Sequence, residues 1–468
     1  MKHTNLSQLH HQLVVGELQV SDLLVSTYQT ISEKNAVINA FIEVFSDAEV
    51  PEFVHESDSI LAGIPVGIKD NILIHGREAT AASNILRGHI APYDAFVIEE
   101  LRKHGAVFVG RLNMDEAAMG SSTETSCYGP TRNPLDITRV PGGSSGGPAA
   151  AVAAGMVAYS IGSDTGGSVR QPAALCGLVG LKPTYGSVSR RGLIAMASSL
   201  DVIGPLTTSV EDARVVYHAM NGYDELDATC VPLERRAEYQ NAASSNRKII
   251  GVPRKFLGLD GIEPEVLEVF EQGLEKMKRE GYTVVDIDIP HIELSLAVYY
   301  IIQPAEASSN YARYDGIRYG LHKEGGSLLD VYTKTKGEGF GKEVQRRIML
   351  GTYVLSSGYH DEYYYKAQAL RAEISQHIYD AFNKVDVIAT PTAPSVAFSF
   401  GAKVDPVSMY LQDIFTVPYN LSGNPAISIP AGVDSQGLPI GMHFAGARFC
   451  EETLLDISSD FERAILKS

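Results

Sequence analysis

The 468-residue chain has only four cysteines, Cys127, Cys176, Cys230 and Cys450, and they are widely scattered. No pair has C-x-x-C spacing, so neither a disulfide framework nor a zinc site is indicated, and a reducing cytoplasm fits. Long apolar runs are also missing. Nothing approaches the ~20 consecutive apolar residues of a membrane span. The N-terminal MKHTNLSQLHHQLVV lacks the apolar region of a signal peptide. Ala149–Val157 is apolar but short and Gly-interrupted, which predicts a core helix passing into a strand. Basic charge is scarce: 39 Lys and Arg face 56 Asp and Glu, a formal net charge of −17. A surface of that sign does not grip a polyanion by itself; if nucleic acid is involved, a partner holds it. Histidine is absent between His104 and His218, so a histidine base for that stretch has to fold back from a distance.

What is present is an ordinary globular composition, 44% hydrophobic and 20% charged, enough for a large core. Length alone allows two or three domains or one large α/β unit. Residues 1–45 read as helical, with apolar positions at Leu6, Leu9 and Leu13 and again at Leu23, Leu24, Tyr28 and Ile31. A polar linker, Pro51–Ser59, precedes a strand Ile64–Ile68 that stops at Lys69-Asp70-Asn71. A helix Ala95–His104, closed by Gly105, leads into a strand Ala106–Gly110. Farther on, Lys248–Val252, Pro264–Glu280 and Tyr282–Pro290 read as strand, helix and strand. A tyrosine-rich helical stretch, Tyr353–Ala381, leads to a strand Val385–Thr390. Strands Ala426–Pro430 and Pro439–Ala445 and a helix Glu452–Leu466 close the pattern. Alternating strands and helices predict a central sheet covered on both faces.

Residues 120–210 are rich in Gly, Ser, Ala and Thr, and small residues let backbone approach backbone or ligand closely. Two clusters stand out, PGGSSGGP (Pro141–Pro148) and GSDTGGS (Gly162–Ser168). The first matches G-x-S-x-G at both Ser144 and Ser145. A nucleophile elbow, however, needs a strand directly before the serine, and Asn133–Val140 is loop-like. The second follows a predicted strand, Met156–Ile161, and precedes a short helix from Val169 with Pro172 in its first turn. Ser168 then sits at a helix N-terminus, and the backbone N–H groups of Thr165, Gly166 and Gly167 can face a developing oxyanion. On spacing alone the same residues also read as a plain Gly-rich turn. A serine hydroxyl needs a base. Lys69, at the end of a buried-looking strand, serves if burial keeps it neutral; without that it reads as a surface lysine.

Lys69-Asp70, PGGSSGG and GSDTGGSVRQPAALCGLVGLKPTYG together resemble the signature of the amidase-signature hydrolases. The resemblance implies a Ser–cis-Ser–Lys triad, with Lys69 as base, Ser144 as bridging serine and Ser168 as nucleophile. It implies an α/β fold, a large mixed twisted sheet flanked by helices on both faces. It further implies one domain over 1–468, with a helical segment 1–50 packed on it and the triad carried by 60–210. MDEAAMGSSTETSCYGPTRNP, AEASSNYARYDGIRYG, GEGFGKEVQRRIMLGTYVLSSGYHDEYY and DPVSMYLQDIFTVPYNLSGNPAISIPAG are similar to one branch of that family, the A subunits of glutamyl-tRNA(Gln) amidotransferases. That likeness covers residues 35–465 and thins in the N-terminal helices and near 225–260. It implies glutamine as substrate, with Arg347 on the α-carboxylate and Asp413 on the α-amine, pairings that suit a guanidinium and an anion. Without the resemblance each reads as a structural ion pair, and Arg346 is adjacent. Tyr299 or Tyr300 lines the pocket or packs the core. The likeness also implies partner B and C subunits completing a heterotrimer in which tRNA, ATP and Mg are handled mainly by B, with no cofactor expected on this chain itself. A stand-alone amidase acting on another small amide is the alternative, since it shares the triad but has no use for a buried Arg347 and Asp413. Pro148, His443 and a short C-terminal tail depart from the family's pattern; Pro148 fits the first helical turn.

Overall fold

A computed structural model describes residues 5–51, 54–56, 59–243, 248–403 and 405–467. Of the expected linker Pro51–Ser59, residues Glu52, Phe53, Ser57 and Asp58 lie outside the described residues. Among the described residues eleven strands form one sheet. In chain order they are β1 (Phe41–Val44), β2 (Pro65–Lys69), β3 (Val107–Leu112), β4 (Tyr159–Asp164), β5 (Val179–Lys182), β6 (Val202–Thr207), β7 (Ile249–Val252), β8 (Thr283–Asp286), β9 (Val387–Pro391), β10 (Ala426–Val433) and β11 (Pro439–Gly446). Their order across the sheet is β1-β3-β2-β4-β6-β5-β10-β11-β9-β7-β8. β2 runs parallel to β3 and β4, and β7 parallel to β8 and β9; every other pairing is antiparallel. The sheet is therefore mixed, as the resemblance implied.

Strands β2 to β6, β9 and β11 are buried at every position, which requires cover on both faces. Adjacent residues of β11 show which helices supply it. A Cβ on Gly441 would meet Ala174 of the helix Arg170–Leu175, whereas Met442 packs on Gly273 of the helix Pro264–Arg279. Neighbouring strand residues point to opposite faces, so the two helices lie on opposite sides. The second helix is built as its sequence predicts. Pro264 opens it, Glu265 sits in the first turn, Lys276, Lys278 and Arg279 in the last, and Val266, Phe270, Leu274 and Met277 are buried.

Several sequence-derived boundaries are corrected. Residues 41–44 are not helical but an edge strand on β3; the helices end at Ile38, where Asn39 takes a left-handed conformation. The strand expected over Tyr282–Pro290 ends at Asp286, because β7, its sole neighbour, offers only four residues to pair with. The tyrosine-rich stretch is broken: one helix ends at Val354, a π-helical turn spans His360–Tyr365, and a second helix begins at Lys366. The apolar Ala149–Val157 run does not pass straight into a strand. A helix spans Gly146–Ala153, and β4 begins only at Tyr159, after Gly155 has taken a positive φ.

Two further helices, Ser295–Tyr311 and Lys342–Val354, carry Tyr299 and Arg347 of the expected pocket. They cross so closely that a Cβ on Gly351 would fall on the carbonyl of Pro304. Arg347 lies one turn earlier on the same face of its helix and bonds Gln303, the neighbour of Pro304. Gly351→Ala should cost about 1–3 kcal/mol by forcing the helices apart. Urea unfolding of the variant beside the parent checks this.

Candidate active site

Lys69 is the last residue of β2 and is completely buried. Parallel β4 carries Ser163 alongside it, so the site forms at the C-terminal ends of two parallel strands. The Lys69 Nζ lies 2.8 Å from Ser144 Oγ, 2.8 Å from Ser145 Oγ, 2.9 Å from Ser163 Oγ and 3.2 Å from the Ser163 carbonyl. No carboxylate hydrogen-bonds it among the described residues. Burial lowers its pKa to about 7, against the upward pull of Asp115, Asp164 and Asp201. A neutral amine has two N–H groups and one lone pair. The Ser163 carbonyl can only accept, and Ser145 Oγ, which already donates to that carbonyl at 3.1 Å, is left to accept as well. Ser163 Oγ accepts from Asn71 Nδ2 at 2.9 Å, so the Ser144 and Ser163 hydroxyls both face the lone pair, and Ser144 can give it a proton.

Ser144 is held by its loop. The Gly143–Ser144 peptide is cis, the form the resemblance implied. Gln171 accepts from Gly143 N–H at 2.9 Å and donates to the Ser121 carbonyl at 3.1 Å. Asp115 donates its N–H to the Ser144 carbonyl, and its carboxylate accepts from Thr123 N–H at 2.8 Å and Thr125 Oγ1 at 2.9 Å. These contacts tie the Gly143–Ser144 peptide to the segment 115–125 and, through Gln171, to the helix Arg170–Leu175.

Ser168 lies in the turn between β4 and the helix Arg170–Leu175, and its carbonyl accepts from Ser145 N–H at 3.1 Å. That hydrogen bond brings the second cluster against the first. One part of the sequence reading is corrected here. The strand is Tyr159–Asp164 rather than Met156–Ile161, so the turn starts at Thr165. The helix's own first N–H groups are not aimed at a substrate: Asp164 Oδ2 accepts from Val169 at 3.1 Å and Arg170 at 3.4 Å. Left without a partner among the described residues are the backbone N–H groups of Thr165, Gly166, Gly167 and Ser168. Thr165 anchors the turn through its side chain, donating to Asp201 Oδ1 at 2.7 Å. Gly167 has φ +144°, and a Cβ there would strike Thr416.

Asp164 and Arg170 form a fully buried, two-pronged pair, with Nε–Oδ2 at 3.0 Å and Nη2–Oδ1 at 2.9 Å. Burial pushes the Asp164 carboxyl upward, but Arg170 and then Lys182 hold it below the usual carboxylate range. Arg170 also donates to Asn420 Oδ1 at 2.6 Å, to the Thr416 carbonyl at 3.1 Å and to His443 Nε2 at 3.0 Å. A guanidinium only donates, so His443 accepts on Nε2 and carries its proton on Nδ1, 3.2 Å from Thr390 Oγ1. Burial and Arg170 keep this histidine well below its ordinary pKa.

Beyond the turn stand the residues expected to recognise a substrate. A Cβ on Gly166 would lie 2.8 Å from the Tyr299 hydroxyl, and one on Gly167 would lie 3.4 Å from Asp413 Oδ1. Tyr299 is thus the wall facing the turn as well as a buried residue. Tyr300 instead stacks on Tyr410 at 3.8 Å. Arg347 is buried, while the Arg346 side chain is half exposed, so the structure separates the two arginines. The Arg347 guanidinium lies 5.3 and 5.2 Å from the Tyr300 and Tyr410 rings and donates Nε–H to Glu343 at 2.8 Å. Asp413 accepts from Ser121 Oγ at 2.8 Å. Burial raises its pKa to about 7, against the Ser121 hydrogen bond and the charge of Arg347. Asp413 therefore stands beside the glycine turn, and buried Arg347 lies against Tyr300, the chain neighbour of the Tyr299 that faces the turn. Among the described residues no group of three His, Cys, Asp or Glu side chains is placed to hold a metal ion. No helix among them is long and apolar enough to cross a membrane.

The model of the amidase family matches residues 22–455. The chain belongs to the amidase family. Among curated members, this amidase is 51% identical to the A subunit of the Moorella thermoacetica glutamyl-tRNA(Gln) amidotransferase, over 96% of this chain and 92% of that one. It is 47% identical to the corresponding A subunit of an Exiguobacterium species, over 98% of this chain and 97% of the other. The crystal structure of the Thermotoga maritima A subunit superposes with a TM-score of 0.82 at 43% identity, covering 98% of this chain and 94% of that one. Sequence reasoning missed Asp115, Ser121, Ser145, Ser163 and Glu343. It also missed the Asp164–Arg170 pair, although both residues stand within the GSDTGGSVR motif. Asp164→Asn removes one partner of that buried pair and should cost about 3–5 kcal/mol. The check is a chemical melt of the variant, alongside Asn420→Ala, which should cost less.

Proposed function

We propose that this chain is the glutaminase subunit of a glutamyl-tRNA(Gln) amidotransferase, EC 6.3.5.7. The observation that carries the reading is buried Asp413 beside the turn that holds Ser168, with buried Arg347 close enough for its charge to act on Asp413. Arg347 keeps N–H groups beyond those that Glu343 and Gln303 accept, and a zwitterionic amino acid offers a carboxylate to them and an ammonium to Asp413. Kinship with the amidotransferase A subunits supports glutamine as that amino acid.

In this mechanism neutral Lys69 takes a proton from Ser144 Oγ, 2.8 Å away, as Ser144 takes one from Ser168. The Ser168 oxygen attacks the side-chain amide carbon of glutamine. Negative charge on the carbonyl oxygen is met by backbone N–H groups of the 165–168 turn, where Thr165, Gly166 and Gly167 form the oxyanion hole. The serine relay returns the proton to the nitrogen as the C–N bond breaks, and ammonia leaves. Water, deprotonated by the same relay, releases glutamate from the acyl-enzyme and restores Ser168. The ammonia passes to a B subunit, where the Glu-tRNA is activated with ATP and Mg2+, and a C subunit braces the pair in a cytoplasmic heterotrimer. A net charge of −17 suits a chain that leaves tRNA to its partner.

Ser168→Ala and Lys69→Ala should each lower kcat for ammonia release by about 10³-fold or more while the complex still assembles. Near-normal turnover by folded Ser168→Ala would remove Ser168 from its role. Vigorous amide hydrolysis by the lone chain, with no complex forming, would favour a stand-alone amidase. The pH profile carries a second test. Lys69 titrates at about 7 and acts only when neutral, so kcat should rise with pH through that value. Asp413 also titrates at about 7 and must be ionised to hold an ammonium, so KM for glutamine should rise as pH falls below it. Steady-state kinetics at pH values on both sides of neutrality, with kcat and KM fitted separately, distinguish the two limbs.

A further inference from the structure

The helix Ser295–Tyr311 places Tyr299, Tyr300 and Gln303 on one side, three and four residues apart. Tyr299 faces the glycine turn and Tyr300 lies against Arg347. Gln303, one turn farther along, is completely buried. Its side-chain oxygen accepts from Arg347 Nη1 at 3.0 Å. Its amide nitrogen is buried with no hydrogen-bond partner among the described residues. An amide flip does not relieve this: a guanidinium has no acceptor, so the oxygen must face Arg347 and the nitrogen must point away from it. A buried donor left unmade is costly, and in a native structure it needs a partner or a purpose.

The bonds around Arg347 show what that partner has to be. Glu343 takes Nε–H at 2.8 Å and also accepts from the Tyr410 hydroxyl at 3.0 Å. Gln303 takes one N–H of Nη1. No other acceptor stands on the second Nη1 N–H or on the two of Nη2 among the described residues, and one N–H from each nitrogen can form the end edge that receives a carboxylate through two parallel hydrogen bonds. The Gln303 nitrogen shares a carbon with the oxygen that bonds Nη1, so it lies close to Nη1. It adds a donor and no charge. We infer that Gln303 is a substrate-binding residue, whose side-chain N–H donates to the same α-carboxylate that Arg347 receives end-on. The pocket then presents three donors to the carboxylate, fixed by Glu343 on one flank of the guanidinium and Gln303 on the other. This rests on the glutaminase reading above and assigns a specificity element to it: discrimination for a free α-carboxylate over an ester or amide at that position.

Gln303→Glu tests whether the side chain faces the substrate carboxylate. A glutamate keeps the acceptor for Nη1 but has no N–H and sets a negative charge against the substrate carboxylate. In the assembled complex, KM for glutamine should rise about tenfold or more while kcat changes less than about threefold. With glutamine α-methyl ester, which has no α-carboxylate, kcat/KM should stay the same or rise. An unchanged KM for glutamine overturns the inference. Because the added charge repels a carboxylate in either role, a crystal structure of Ser168→Ala with bound glutamine decides the hydrogen bond itself. The Gln303 nitrogen within hydrogen-bond distance of the carboxylate supports the inference, and the nitrogen turned away from it refutes it. A parent complex that releases no ammonia from glutamine would instead remove the glutaminase reading itself.

Discussion

The site depends on a lysine that has been given no counter-ion. Three aspartates, Asp115, Asp164 and Asp201, sit near enough to favour its charged form, yet each is engaged elsewhere. Asp115 accepts from a loop, Asp164 from Arg170, and Asp201 from Thr165 and the backbone of Met196 and Ala197. The hydrogen-bonding groups around the amine are serine oxygens and one carbonyl. In a medium of low dielectric that balance decides the protonation state. Had any one of the three carboxylates been released to the amine, Lys69 would be an ion pair and could accept nothing.

The same logic explains why so much of the polar interior is spent on restraint. Two glycine-rich segments approach each other because they lack side chains, and that lack also leaves them few means of holding a shape. Gln171, Asp115, Asp164 and Arg170 supply it from within or beside those segments. Gln171 and Asp115 bond backbone groups of these loops, while Asp164 and Arg170 bond chiefly each other, Asn420 and His443, and together they hold the reacting atoms in place. His443 fits the scheme as a neutral acceptor for Arg170, a service that any uncharged side chain with a well-placed acceptor can provide.

Much of this was legible in the chain itself. Strand–turn–helix context separated Ser168 from the formally better motif at Ser144, and the absence of a nearby histidine pointed to Lys69. Period-2 and period-3.6 patterns located most strands and helices, because burial writes them into composition. The failures have physical reasons. Residues 41–44 pair with a strand more than sixty positions later, a contact that local pattern does not record. Gly351, Gln303 and Glu343 gain their meaning only from the crossing of two helices. Nothing in a single sequence says which buried acid faces which buried base, so Arg346 and Arg347 were told apart by exposure alone.

The sheet order has a bearing on how the protein is made. β10 and β11 lie between β5 and β9, so among the described residues the hairpin β10–β11 joins the strands β1 to β6 to the strands β7 to β9 in the sheet. β11 carries His443, and the segment just before β10 carries Asp413, Thr416 and Asn420, which touch the turn at Gly166–Gly167 or its Asp164–Arg170 brace. A nascent chain can contain Lys69, Ser144 and Ser168 and still lack the parts that fix their geometry. Closure of this long-range sheet therefore waits for β10 and β11, and the geometry around Lys69, Ser144 and Ser168 waits with it.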